Sequence, residues 1–181
     1  MLILILGVAL WSGAHLFKRL APDARANLGE KGRGLVAVAI LASLVLMVVG
    51  YRMADSAFFW GRHPATVGIN NLLMLIAVYF YAASGTKSVV GQRMRHPQLI
   101  GFKTWAIAHL LVNGDLASIV LFGGLLAWAV VEVIVINKTV SWSKPDVTMD
   151  PKKEIKAVVF TVVVYGVIVA IHYWLGYPTF G

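Results

Sequence analysis

This sequence predicts an all-α integral membrane protein, a bundle of six transmembrane helices with both termini on the outer side. Three observations predict it. Hydrophobic residues make up 59% of the 181 positions and charged residues only 13%, about half the charged share of an ordinary soluble domain. The apolar residues gather into runs of the length a bilayer core demands, about 20 residues at a rise of about 1.5 Å each. The basic residues fall between those runs, with a strong bias to one side.

The runs follow in order. Leu2–Phe17 spans if the stems of Lys18 and Arg19 snorkel to the surface. No basic residue precedes this run and the basic pair follows it, the reverse of a secretory signal, so it reads as a retained first helix. Leu35–Tyr51 carries only Ser43 as a polar side chain, and Ala65–Ala83 is interrupted only by Thr66, Asn70 and Asn71. Leu116–Ile136 holds Ser118 and Glu132, and Ala157–Leu175 holds Thr161 and His172. The remaining segment, Leu99–Val112, contains Lys103, Thr104 and His109 and is short; starting it at Pro97 and ending it at Asn113 makes it a span. Proline suits a first helical position, and Asn113-Gly114-Asp115 reads as a tight turn.

Six spans sort the cations cleanly. One side collects Lys18, Arg19, Arg25, Lys31, Arg33, Lys87, Arg93, Arg95, Lys138, Lys144, Lys152, Lys153 and Lys156; the other holds Arg52 and Arg62, with Lys103 inside a helix. Thirteen against two places the rich side in the cytoplasm. Five spans would split the lysines that follow Ile136 from the rest. The net charge of +8 therefore points to a lipid bilayer as partner and not to nucleic acid. The chain reads as one transmembrane domain over residues 1–181, and its lack of cysteine excludes disulfides, thiolate metal ligands and a cysteine nucleophile. Gly7 and the pair Gly123-Gly124 would permit close helix contact, within a subunit or between subunits, so the oligomeric state stays open.

Ionisable groups inside a bilayer are costly, which makes each one a candidate for function. Lys103 and Glu132 each lie one to two turns from the cytoplasmic face on helices joined by a tight turn. They either pair or snorkel separately. Among the histidines, His15, His109 and His172 fall within spans, while His63 and His96 precede helix-opening prolines. His15 and His109 share a context, with Trp11 and Trp105 each four residues before them and so on the same helix face. Neutral imidazoles on facing helices make good axial ligands for haem iron, and an indole beside each could flank a flat macrocycle. A haem b held by His15 and His109 is one reading of that spacing; histidines that hydrogen-bond across helices are the other. A faint repeat, Arg62-His63-Pro64 with Gly68 and Arg95-His96-Pro97 with Gly101, opens two helices that run in opposite directions.

Arg95-His96-Pro97 at a helix start is similar to membrane methyltransferases acting on isoprenylcysteine or phospholipid amines. In those enzymes an acidic, aromatic C-terminal segment completes the S-adenosylmethionine site. Here that stretch is an apolar span ending in Tyr173-Trp174-Leu175-Gly176-Tyr177-Pro178, with Glu154 as the acidic residue nearby.

A second resemblance covers most of the chain in span layout. Residues Arg93 to Gly101, then Trp105-Ala106-Ile107-Ala108-His109 and Asn113-Gly114-Asp115, with Trp11-Ser12-Gly13-Ala14-His15 earlier, resemble NnrU-type membrane proteins. Their relatives are the 15-cis-zeta-carotene isomerases. The isomerase branch implies a b-type haem, carried over here to His15 and His109, and a redox-dependent cis–trans isomerisation of a polyene lipid in an apolar pocket. The NnrU branch implies a bacterial inner membrane and a link to nitric oxide and nitrite metabolism, with a redox, gas-sensing or accessory role. The isomerases carry a cysteine just before the second ligand, where this chain has Ala106, and Leu125-Leu126-Ala127-Trp128 stands near the place of their late histidines. Those departures favour the NnrU branch. Lys18, Arg19, Arg93 and Arg95 would meet the haem propionates at the membrane edge. His96 would either orient a neighbour or cap its helix.

Overall fold

The computed structural model describes residues 1–180, most of them helical. The helices are α1 (Leu2–Leu20), α2 (Pro22–Asn27), α3 (Lys31–Arg52), α4 (Pro64–Thr86), α5 (Val89–Arg93), α6 (Pro97–Val112), α7 (Leu116–Thr139) and α8 (Pro151–Trp174). Two short strands, β1 (Phe58–Trp60) and β2 (Gly114–Asp115), pair antiparallel. Five helices are long and apolar enough to cross a membrane: α1, α3, α4, α7 and α8. The sixth expected span, α6, is a continuous helix of 16 residues, about 24 Å long at the helical rise. The spans extend past their apolar runs, taking in Lys18 and Arg19 on α1 and Lys31 and Arg52 on α3. Helical hydrogen bonding continues into the polar boundary, while hydropathy marks only the apolar middle.

Local chemistry sets the helix ends. Pro22, Pro64, Pro97 and Pro151 each stand at a first helical position, where a missing N–H costs nothing. At α4 the His63 Nδ1 accepts from the Ala65 amide (3.3 Å) and the Thr66 hydroxyl accepts from the His63 amide (3.2 Å). α4 ends at Lys87, whose φ of 55° lies in the left-handed region. Asp150 caps α8, accepting from the Lys152 amide at 3.0 Å.

The backbone divides into two compact units. The first comprises Met1–Trp60 and Asn113–Ser141, the second Gly61–Val112 and the chain from Trp142 onward. In the first, α1 and α3 pack antiparallel at backbone distance. A Cβ on Gly7 would stand 2.8 Å from the Met47 backbone nitrogen, and one on Gly50 only 2.4 Å from that of Leu4. Glycine is what lets helices approach this closely. α7 packs on the other side of α1, with Gly124 against Val8, whereas Gly123 meets nothing within 4 Å. Of the three glycines that the sequence marks for close contact, Gly7 and Gly124 make it inside this unit. Contacts at Val8–Gly124 and again at Arg19–Glu132 show that α1 and α7 run parallel.

In the second unit α6 returns along α4, with Gly101 passing the Ala77 carbonyl at a distance that leaves no room for a Cβ. α8 also lies against α4, in the opposite direction. The Asn71 side chain on α4 donates to the Thr179 carbonyl (2.9 Å), while Glu154 at the start of α8 accepts from the Val89 amide just past the end of α4 (2.7 Å). Both copies of the Arg-His-Pro motif thus open helices of this unit that pack on each other antiparallel.

Candidate functional site

His15 sits in the first unit at the centre of an aromatic cluster. Its Nδ1 lies 2.9 Å from the Trp11 carbonyl oxygen, one turn back. A carbonyl can only accept, so Nδ1 carries the proton and Nε2 keeps its lone pair. The imidazole centroid lies 4.2 Å from that of Trp11 and 4.8 Å from that of Trp128, and the two indoles meet edge to face at 5.5 Å. Trp128 comes from α7 and is buried. Four residues beyond it, Glu132 accepts from the Arg19 Nε at 2.9 Å.

These contacts form a ladder between two parallel helices. Trp11, His15 and Arg19 stand at four-residue steps on α1, and Gly124, Trp128 and Glu132 at four-residue steps on α7. The start of α7 makes the alignment. Residues Ile119–Gly123 form a π-helical turn. Such a turn inserts one residue and rotates the following helix by about 100° relative to an unbroken α-helix.

The ladder decides between the two readings left open for Glu132: it does not pair with Lys103, and its partner is Arg19. Arg19 is engaged at Glu132 through Nε. Lys18 and Arg93 are exposed, and Arg93 Nη2 donates to the Val147 carbonyl at 3.3 Å. Spacing already contained part of this signal, since the Trp128–Glu132 stripe repeats the Trp11–His15–Arg19 step.

His109 lies in the second unit. Its Nδ1 is 3.0 Å from the Trp105 carbonyl oxygen, which again assigns the proton to Nδ1, and the two rings are 5.2 Å apart at 49°. Phe102 extends the stack, 5.1 Å from Trp105. The indole beside each histidine, expected from spacing, is therefore present in both units. His172 makes the same backbone bond, Nδ1 to the Ile168 oxygen at 2.8 Å, but has no tryptophan at that position. Arg95 and His96 are half-buried ahead of α6, and the His96 carbonyl accepts from the Ile100 amide (2.9 Å) in the first turn of the helix.

Taken singly, each imidazole has a backbone bond that a metal ligand can use. A ligating histidine ordinarily donates its other ring N–H to a carbonyl or carboxylate, which fixes the tautomer and aims the bare nitrogen. His15 and His109 both meet that condition. Among the described residues no group of three or more His, Asp or Glu side chains gathers as a metal-ion site; a b-type haem needs only two axial ligands. Glu154, the acid near the C-terminal segment, is engaged at the Val89 amide.

A second polar cluster in the first unit joins residues whose spacing carries no signal of it. Asp115 caps α7, accepting from the Ser118 amide (2.9 Å) and hydroxyl (2.6 Å) and from the Ser56 hydroxyl (3.3 Å). Because the Ser118 proton goes to Asp115, the Tyr51 hydroxyl donates to Ser118, at 2.7 Å. Partial burial pushes the Asp115 carboxyl up, but the bonds from Ser118 and Ser56 outweigh it and hold the carboxylate below its ordinary value. Asn113-Gly114-Asp115 is thus more than a turn: Gly114 passes directly under Trp60, and Asp115 ties α3, the β-ribbon and α7 together.

No curated protein and no solved structure matches the chain. The model of the family described as NnrU protein matches residues 3–179. With apolar helices of spanning length and a family match over nearly its whole length, the chain is a multi-pass membrane protein that belongs to the NnrU family.

Proposed function

We propose that this protein crosses a bacterial inner membrane six times, with both termini outside, and binds haem b using His15 and His109 as iron ligands. The paired Nδ1–H···O=C bonds, each with an indole against the ring, carry the ligand assignment. They fix the proton on Nδ1 of both residues, whereas His172 makes the same bond but lacks the indole. The haem would supply reversible one-electron chemistry, and a small gas would bind only by displacing one of the two histidines. The accompanying role is redox or gas sensing, or an accessory part in nitric oxide and nitrite metabolism.

Helix directions support the span count. α1 and α7 run parallel, as they would if α3, α4 and α6 each crossed the membrane between them. α4 and α8 run antiparallel, which requires an even number of crossings between them, and α6 and α7 supply it. The bias of the basic loops then puts the termini outside.

The test is the absorption spectrum of the purified full chain, oxidised and dithionite-reduced, beside His15→Ala, His109→Ala and His172→Ala. A Soret band with sharp low-spin reduced bands is expected in the wild type and in His172→Ala. Each of the other two variants should lose it or turn high-spin. A colourless wild type made with ample haem would sink the haem reading, and loss confined to His172→Ala would overturn the ligand assignment. A carboxy-terminal reporter that works only outside the cytoplasm checks the topology separately.

A further inference from the structure

The β-ribbon of the first unit displays three consecutive aromatic residues that the proposed function does not use. Phe58 is 71% exposed, Phe59 59% and Trp60 42%. Successive strand residues point to opposite faces, so the ribbon is apolar on both sides. Two strands this short have little stability of their own in water. Here they are pinned from behind. The Leu116 amide donates to the Ala57 carbonyl at 2.8 Å, Ser56 donates to Asp115, and Asp115 is bonded in turn to Ser118 and through it to Tyr51. Gly114 lets Trp60 cross so closely that any side chain there would collide with the indole. Trp60 thus lies against the anchor, while Phe58 and Phe59 leave most of their surface exposed.

We infer that this ribbon is a membrane-interface wedge, with Phe58 and Phe59 seated at the headgroup–acyl boundary of the lipid bilayer. Its occupant is lipid because the ribbon continues the lipid-facing surface. α3, with Val38, Leu41, Val45 and Val48 exposed, ends at Arg52, five residues before β1 by way of Met53–Ala57. That linker reaches about 17 Å at most, and α7 begins directly at the end of β2, so the ribbon is tethered at the level where two spans leave the hydrocarbon. Aromatic side chains favour that level. The Asp115 cluster is then a bracket that holds the wedge at a constant depth.

The absence of cysteine makes the test clean. Single variants Phe58→Cys and Phe59→Cys of the full chain are labelled with an environment-sensitive fluorophore and reconstituted into phosphatidylcholine vesicles. Val38→Cys on the exposed face of α3 and Lys144→Cys in the loop before α8 serve as lipid and water references. Both ribbon labels should emit closer to the position 38 reference than to the position 144 reference. Nitroxide-bearing lipid should quench both in preference to aqueous iodide. Preferential quenching by iodide at either ribbon position would overturn the inference. So would shielding from both quenchers, since protein would then cover the ribbon. Each position is labelled independently, so a variant that fails to fold leaves the other to decide.

Discussion

α1 and α8 begin from the same local chemistry and end in different roles. Each is an apolar helix with a histidine whose Nδ1 donates to the carbonyl four residues back, at 2.9 Å on α1 and 2.8 Å on α8. Around His15 the structure adds Trp11 and Trp128, a charge pair one turn further on, and glycine contacts that bring α3 and α7 to the helix surface. α8 instead leaves Val158, Val159, Phe160, Val162, Val163 and Val167 exposed. The bond from a helical histidine to its own backbone therefore does not by itself separate His15 from His172. What distinguishes His15 is what the neighbouring helix brings to it.

The contrast rests most heavily on the ion pair. Arg19→Ala leaves Glu132 buried without its cation and should cost about 3 kcal/mol, the low end for breaking a buried pair, since the Arg19 side chain keeps 30% exposure. Thermal unfolding in detergent measures it. Lys103→Ala in the same assay should stay within about 0.5 kcal/mol, and a loss as large as that of Arg19→Ala would restore the Lys103–Glu132 pairing. Next in size is Gly50→Ala, whose Cβ would press on the Leu4 backbone and force α1 away from α3. Such overpacking costs about 2 kcal/mol. On α8, Gly166→Ala meets open space and should be neutral or slightly stabilising.

Asp115→Asn gives a smaller and pH-dependent effect. Losing the charged cap of α7 costs about 1 kcal/mol near neutral pH. The folded-state carboxyl lies below its ordinary value of 3.8, so its contribution is complete above that value and fades as pH falls through the lowered folded value. Wild type should therefore lose stability in that acid window, and Asp115→Asn should lack that part of the slope. A slope of equal size in both proteins would mean that other carboxylates carry it. The smallest effect belongs to the lipid-facing side of α8, where Val163→Leu should shift the midpoint by no more than about 0.5 kcal/mol.

Much of this architecture was legible in advance. The apolar runs located all five long helices, and Pro64 and Pro97 marked helix starts. The four-residue steps from Trp11 to His15 and from Trp105 to His109 foretold two indole–imidazole contacts within single helices. The partners across helices were not legible. Glu132 had Lys103 as the nearer cation in sequence and took Arg19, 113 positions away. Trp128 stood out only near the place where the resemblance to the isomerases implies a histidine, yet it packs on His15. The Tyr51–Ser118–Asp115–Ser56 cluster joins residues of ordinary type whose separation hides them.

The sequence alone determined that this chain is a helical membrane protein, where its spans lie, and which histidines carry an indole on their own helix. Partition between lipid and water is a property of each side chain, and helical periodicity needs only local spacing. The tertiary structure alone decided that α1 and α7 lie parallel, that a π turn brings Trp128 and Glu132 onto α1, and that Asp115 brackets an aromatic ribbon. Those outcomes depend on which helix faces which. In a bilayer, where every apolar surface is equally content with lipid, that choice falls to small-residue contacts and buried polar pairs scattered along the chain.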